Sequence, residues 1–580
     1  MQMIKRVRLL LIFIVLIIFT STIFSQPLPD EIIRSVNPRP ASPEQMKWFS
    51  DARYGLFIHW GPGCLSGKDL SWSRRGPRPG DQTGHYEEEK TVPQDVYDNY
   101  YKLFNPTKFD ARQWVKMAQD AGMNYIVFTS KHHDGFSNFH TKFSDYNIAN
   151  TPFKRDIVKE LADACHQAGM RFGIYYSVRD WYHPDYLKGD NSKYREFYTG
   201  QLNELLTNYG KIDLLWFDST FGADVLWDFQ GVLKMIFRLQ PDILINDRYS
   251  NSWKGDYFTP EQQTGAFDRD RAWESCGCLV DGQWAYRPNG ILLTTRETLG
   301  MLLGAVGGDG NLLLNVGPPP NGKIEDRQAD RLREVGSWLR EYGKGIYGSR
   351  GGPYKPGYWG YSTFKANHIY LYLNQWDTPE LILPSMDKKI LSYKLLSGGN
   401  INLEQNEHEI SITIPPSDRK DLFTVVELTI DGNALDIKPI KSTVSGSLAF
   451  GKKVEAGSNG MPRLWWHNPC DASNVLDDNI NTRWRANEGS SEAWLQIDLG
   501  ELLTFDRAMI EDDGNVEDYE IQILSGEKWK TIYKGKSIGK MHRIQFNPVT
   551  AKLVRLNILS TKDTPDIWEF HLFKQPIEIN

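Results

Sequence analysis

Two histidines and an aspartate stand side by side in KHHDGF, Lys131 to Phe136, directly after the apolar run NYIVFTS. Imidazoles beside a carboxylate suit three kinds of chemistry: metal ligation, acid–base catalysis, or hydrogen bonding to a polyhydroxylated ligand. Similar residues close or follow other apolar segments: His59-Trp60, Tyr176 in FGIYYS, Asp218 after Trp216 in IDLLWFD, Asn246 to Arg248 in INDR, Glu261 in TPEQ and Glu274 in AWESC. A carboxylate delivered by an apolar strand is rigidly held, and nearby cations keep it ionised, which suits a nucleophile. The structural alternative for Asp218 is to cap the following helix. Together with Glu261 or Glu274 it makes a pair of carboxylates, as glycoside hydrolysis requires: one attacks the anomeric carbon, the other stays protonated to donate to the leaving oxygen. His59, His132, His133, Asp134 and Asp218 are the competing metal set. Adjacent histidines on a strand point to opposite faces, so His132 and His133 reach one ion only if the chain bends after the strand. Holding sugar hydroxyls needs no such bend, and an arginine in the same pocket also keeps a carboxylate ionised.

The segments that must position these groups repeat. An amphipathic helix ends in Gly, a short turn follows, and then comes an apolar strand that ends in polar residues. FDARQWVKMAQDAG leads to MNYIVFTSKHHDG, DIVKELADACHQAG to MRFGIYYSVRDW, and REFYTGQLNELLTNYG to KIDLLWFDST. Gly122, Gly169 and Gly210 sit where a left-handed residue ends a helix. Near-continuous apolar strands are expected of a parallel sheet buried on both faces. With YGLFIHWG, ILINDRYS, RAWESCG and NLLLNVG as further strands, the pattern predicts a (β/α)8-like barrel, with a doubly wound open sheet as the alternative. A barrel gathers its catalytic groups at the C-terminal ends of its strands, so the polar clusters should converge on one pocket.

The whole chain of 580 residues exceeds what one core serves, and its 40% hydrophobic and 24% charged residues are ordinary for a globular protein. A net charge of −6 argues against nucleic-acid or anionic-membrane partners. Five scattered cysteines are too few for a disulfide framework, and Cys276-Gly-Cys278 lacks a second pair at zinc spacing. The N-terminus carries Lys5, Arg6 and Arg8, an apolar run and then small residues, the pattern of a signal peptide spanning 1–25 and cut after Ser25. The alternative is a retained anchor, since the run approaches spanning length. Export with no membrane attachment after cleavage, to periplasm or medium, is the expectation. From 26–350 the barrel units run; 353–440 reads as short alternating strands of a small β-sandwich, and 451–575 as another all-β domain.

The motifs GLFIHWGP, FDARQWVKMAQDAGMNYIVFTSKHHDGF, FGIYYS, GKIDLLWFD, INDR, TPEQ…WESC and GGDGNLLLNVGPPPNGKI, in this order, resemble glycoside hydrolase family 29, the retaining α-L-fucosidases. The resemblance implies removal of terminal α-L-fucose from a fucosylated oligosaccharide or glycoconjugate by double displacement, with no metal or cofactor in catalysis. It makes Asp218 the nucleophile and His59, Trp72, His132, His133, Tyr176, Trp216, Arg248 and Trp284 substrate-binding residues. For the acid/base, Glu261 is preferred and Glu274 is the alternative. Ser71 before Trp72, and QWAY around Trp284, depart from the family pattern and leave α-L-galactosides open as substrates, because an apolar pocket rejects an added hydroxyl weakly. A catalytically weak glycan-binding protein and a secreted adhesin are the non-enzyme alternatives. The segment LDDNINTRW…WLQIDLG resembles discoidin-type, coagulation factor 5/8 type C domains, which also serve as family 32 carbohydrate-binding modules. That resemblance implies sugar stacking at loop aromatics such as Trp465 or Trp466, and a structural Ca²⁺ held by Asp477, Asp478 and Asn479. Oligomeric state is not legible.

Overall fold

The computed structural model describes residue 34 and residues 37–574, except 82–90, 219–223, 251, 264–266, 281, 358, 375–379, 442–446, 461–469, 478–481, 513 and 540–541. The signal segment, Trp465 and Trp466 lie outside the described residues. After a helix α1 (Pro43–Ala52) the first half alternates strand and helix. Strands β1 (Tyr54–Ile58), β2 (Tyr125–Lys131), β3 (Arg171–Ser177), β4 (Leu214–Asp218), β5 (Leu244–Ile245), β6 (Glu274–Cys278) and β7 (Asn311–Val316) form one parallel sheet in the order β5-β4-β3-β2-β1-β7-β6. Helices α2 (Ala111–Asp120), α3 (Ile157–Gln167), α4 (Ser192–Asn208), α5 (Phe229–Leu239), α6 (Thr295–Gly307) and α7 (Asp326–Tyr342) cover it. Gly122, Gly169 and Gly210 all take positive φ just after their helices, as their positions in the sequence predict.

The ring closes through a segment that the sequence did not mark as a strand. Tyr257 bridges Asn246 beside β5, while Phe258 and Glu261 bridge Trp273 and Cys276 at β6, all in parallel. Backbone N–H groups of Glu274 and Cys276 donate to Phe258 and Pro260, so this short stretch serves as the eighth stave. No helix flanks it among the described residues, which is why the repeat of helix and strand fades there.

Strand alternation sorts side chains between the barrel interior and the helix layer. Phe57, Tyr125, Val127, Tyr175, Leu214, Trp216, Tyr257, Cys276 and Leu313 pack together inside. Ile126, Phe128, Phe172, Ile174, Tyr176, Leu215 and Phe217 pack outward against the helices. Asp218 is in phase with Leu214 and Trp216, and His59 with Phe57, so both point inward. Gly55 makes room for this interior: a Cβ there would meet the Tyr125 ring at 2.4 Å.

Behind the barrel, a five-stranded antiparallel sheet (β8 at its edge, Arg350–Gly351, with strands at 360–365, 368–373, 390–395 and 424–430) faces a three-stranded one over a common apolar core. Beyond it a seven-stranded antiparallel sheet encloses a separate core around Trp484, Ile497, Phe505, Leu556 and Phe570. All five cysteines are buried. No helix among the described residues is long and apolar enough to cross a membrane.

Candidate active site

Asp218, the last residue of β4, is the hub of the pocket. Its Oδ2 accepts the Tyr175 hydroxyl at 2.7 Å, its Oδ1 lies 3.4 Å from Arg248 Nη1, and His133 Nε2 is 3.5 Å away. Burial alone would raise this carboxyl, but the Arg248 charge, the Tyr175 hydroxyl and Arg179 hold it below the ordinary carboxylate value. The same Arg248 Nη1 donates to Glu261 Oε2 at 3.0 Å. Its guanidinium is clamped by the hydroxyl and carbonyl of Thr259, each at 2.9 Å, and sits 4.6 Å over the Trp216 ring. One cation therefore spans both carboxylates. Asp69, which the sequence did not single out, stands near Glu261; burial first, and then the Glu261 charge, push its carboxyl up to about 6.

The histidines line the opposite wall. Strand β2 stops at Lys131 and the chain turns, with Gly135 at positive φ donating back to the His132 carbonyl. This turn supplies the bend that two adjacent strand residues lack, so His132 and His133 both face Asp218. Their Nδ1 atoms are each 2.6 Å from a serine hydroxyl, Ser71 for His132 and Ser177 for His133. The other two polar residues of KHHDGF turn away: Lys131 pairs with Asp180 at 3.2 Å, and Asp134 accepts from Tyr97 at 2.7 Å. His59 Nδ1 lies 2.8 Å from Asn315 Oδ1, and its ring is 5.0 Å from that of Trp284. Burial pushes His59 down to about 4 and both other imidazoles well below their ordinary range, so all three are neutral at pH 7. Trp72 meets His133 edge to face at 5.4 Å and Trp181 at 5.1 Å, completing an aromatic rim.

Of the residues singled out from the sequence, Asp218, Glu261, His59, His132, His133, Trp72, Trp216, Arg248 and Trp284 converge on this pocket. Tyr176 does not. It faces the helices, where its hydroxyl donates to Gln201 at 2.8 Å, and Tyr175 takes the inward place beside Asp218. Alternation alone carries that signal, since Tyr175 pairs with Trp216 and Ser177 with Asp218. Replacing Tyr175 with Phe should lower kcat/KM by roughly tenfold to a hundredfold, the value of a hydrogen bond to a charged group. Tyr176→Phe should leave kcat/KM within twofold. Equal losses in the two variants would contradict this placement.

Glu274 is the second correction. It begins β6 rather than ending a strand, so it sits down in the barrel, fully buried, accepting from the Tyr125 hydroxyl at 2.5 Å and Trp216 Nε1 at 3.0 Å. Its carboxyl is enclosed, whereas the Glu261 side chain is 25% exposed. Burial pushes the Glu274 carboxyl up to about 7 despite both hydrogen bonds and Arg248. Because the folded state holds this proton more tightly than the unfolded chain, the stability it contributes is full below about pH 4.5 and is lost as pH rises through 7. Glu274→Gln should therefore gain in melting temperature relative to the parent between pH 5 and pH 8, by an amount equivalent to a few kcal/mol at about 1.4 kcal/mol per pKa unit. The same melting difference at both pH values would refute the assignment.

His132, His133 and Asp218 place one ligand atom each within 4.8 Å of one another. The geometric objection to a shared ion therefore fails, although Arg179, Lys131 and Arg78 crowd His133 with positive charge. In the C-terminal domain, Asp477 accepts from the Thr482 hydroxyl at 2.8 Å, while Asp478 and Asn479 lie outside the described residues.

Comparison with known proteins agrees with this geometry. The family model for alpha-L-fucosidase matches residues 34–344, and that for the F5/8 type C domain matches 453–571. Human plasma alpha-L-fucosidase is 32% identical over 392 residues, covering 62% of this chain and 84% of the human protein. Mouse tissue alpha-L-fucosidase is 30% identical over 340 residues, 55% of this chain and 74% of its own. Among solved structures, alpha-L-fucosidase isoenzyme 1 from Paenibacillus thiaminolyticus superposes with a TM-score of 0.60 at 32% identity, covering 67% of this chain and 99% of that one. A family 29 enzyme from Bacteroides thetaiotaomicron, trapped as a covalent intermediate with 2-fluoro-fucosyl fluoride, gives a TM-score of 0.60 at 28% identity over 68% of this chain and 97% of its own. With more than half of its length matched, and with the matched span holding the barrel and every group around Asp218, this chain belongs to the α-L-fucosidases of glycoside hydrolase family 29.

Proposed function

We propose that this protein is an exported exo-glycosidase that releases terminal α-L-fucose from glycans with retention of configuration and without a metal ion. The observation that carries the reading is the shared contact of Arg248 Nη1 with Asp218 Oδ1 and Glu261 Oε2 at the barrel mouth. This shared cation brings one oxygen of each carboxylate within reach of the same nitrogen, which supports two carboxyl groups flanking one glycosidic bond.

In the first step the Asp218 carboxylate attacks the anomeric carbon as Glu261 gives its proton to the departing oxygen; a glycosyl ester forms and the glycosidic bond breaks. In the second, the Glu261 carboxylate takes a proton from water, the water oxygen attacks, and the ester bond returns its electrons to Asp218. Negative charge thus passes from Asp218 to Glu261 and back. With Glu261 protonated in the substrate complex, Arg248 faces one carboxylate charge at each step of this cycle. Neutral imidazoles and the rim of Trp72 and Trp284 offer hydrogen bonds and ring faces to a sugar. The cations around His133 and Asp218 compete with any dication at that point, which supports the metal-free reading. Export is supported by the basic and apolar N-terminal segment and by the plasma enzyme among the relatives.

The deciding assay is the initial rate of the signal-free protein on aryl α-L-fucoside, with aryl α-L-galactoside and an EDTA-treated sample alongside, and NMR of the first sugar anomer formed. Fucose release insensitive to EDTA, with α-L-fucose appearing first, is expected. The β-anomer first would overturn retention, loss with EDTA the metal-free reading, and turnover of the galactoside alone the sugar.

A further inference from the structure

Asn315, buried, ends an interior row of β7 and bonds through both ends of its amide. Its Oδ1 accepts both the backbone N–H of His59, at 3.2 Å, and His59 Nδ1, at 2.8 Å. Its Nδ2 donates to the carbonyl of Trp284 at 2.7 Å. The carbonyl of Trp284 only accepts, so the nitrogen of this amide must face it and the oxygen must face His59. An amide oxygen has no proton to give. The proton between Asn315 and His59 therefore belongs to Nδ1.

We propose that Asn315 is a positioning residue that locks neutral His59 as its Nδ1–H tautomer, so that His59 meets the sugar as a hydrogen-bond acceptor, and that the same amide pins the Trp284 wall against it. Nε2 takes no hydrogen bond from any other described residue. It lies on the ring edge away from Asn315, within a shell formed by His132, Tyr175 and Trp284, whose ring centroids are 5.6, 5.2 and 5.0 Å away. Asp218 and Arg248 are the charged groups acting on this ring, with opposite effects on its proton affinity. A lone pair held here selects a donating hydroxyl and rejects an ether oxygen or a substituent that only accepts. Fixing the tautomer in the free protein also removes from binding the cost of choosing it. Two jobs meet in one side chain: the polarity of His59 and the distance of Trp284 from it are set together.

The assignment of the tautomer stands apart from the fucosidase reading; the identity of the donor as a sugar hydroxyl rests on it. ¹⁵N-histidine NMR of the full chain at pH 7 separates protonated from bare ring nitrogens, and a His59→Gln spectrum identifies the His59 signals among the 12 histidines. Expected are a protonated Nδ1 and a bare Nε2, with added L-fucose moving the Nε2 signal and leaving Nδ1 in place. Asn315→Leu should give a mixture of tautomers for His59 and lower kcat/KM by about tenfold, the worth of one neutral hydrogen bond. Asn315→Asp should keep the Nδ1 proton but raise the proton affinity of the ring, so that kcat/KM falls away on the acid side at higher pH than in the parent. A protonated Nε2 in the unmodified protein, or an unchanged tautomer in Asn315→Leu, overturns the proposal, and the first of these needs no variant to fold. A bare Nε2 that fucose does not move would overturn the sugar contact alone.

Discussion

Replacing Asp218 with glycine should abolish turnover of an aryl α-L-fucoside, by roughly 10⁴-fold or more, the scale on which removal of a covalent nucleophile acts. The fold should survive, because Asp218 sits at the exit of β4 and its partners Tyr175 and Arg248 retain other packing. The informative readout is rescue. Glycine leaves a space beside Arg248 large enough for azide, and azide attacking from that side displaces the aryloxide once to give the fucosyl azide of inverted, β configuration. Recovery of that product identifies Asp218 as the attacking group rather than a residue that merely binds the sugar. Retained turnover near that of the parent would remove the basis of the mechanism.

Glu261→Gln should lower kcat by about 10²–10⁴-fold for a glycan or alkyl fucoside, the usual contribution of a positioned acid or base. For a substrate whose leaving group departs unaided, such as a dinitrophenyl fucoside, the loss in the first step should shrink steeply, because no proton is then needed. Glutamine keeps the contact with Arg248 while removing the proton. Glu274→Gln should show neither effect: it preserves an acceptor for the Trp216 indole and lies away from the departing oxygen. Were the leaving-group dependence to appear in Glu274→Gln and not in Glu261→Gln, the two glutamates would exchange roles. The comparison works because Trp216 separates them, with Glu274 bonded to its indole nitrogen and Arg248 stacked over its ring on the way to Glu261.

Much of this site was legible in the chain. The period of LLWFD places Asp218 on the face that carries Trp216, and that face is the barrel interior. Seven of the eight staves are visible as apolar runs, because burial on both sides keeps most of their positions apolar. The same periodicity, applied to FGIYYS, would have selected Tyr175; reading the strand end as a cluster instead of a phase led to Tyr176. Glu274 was misplaced because a polar residue inside an apolar run resembles a strand end, and the direction of pairing with Asn311 is not written locally. The eighth stave, Tyr257 to Glu261, is too short and carries Pro260, so local propensity reads it as loop.

By itself the sequence determined the alternating architecture, the inward phase of Asp218 and the set of residues available to a sugar-cleaving pocket, since these depend on spacing along one strand at a time. Tertiary structure alone decided which glutamate shares Arg248 with Asp218, how two neighbouring histidines come to face one carboxylate, and which proton Asn315 assigns to His59. Each of those is a contact between segments far apart in the chain, set by barrel closure and by the turn after β2, and no local pattern of residues encodes a distance across a ring.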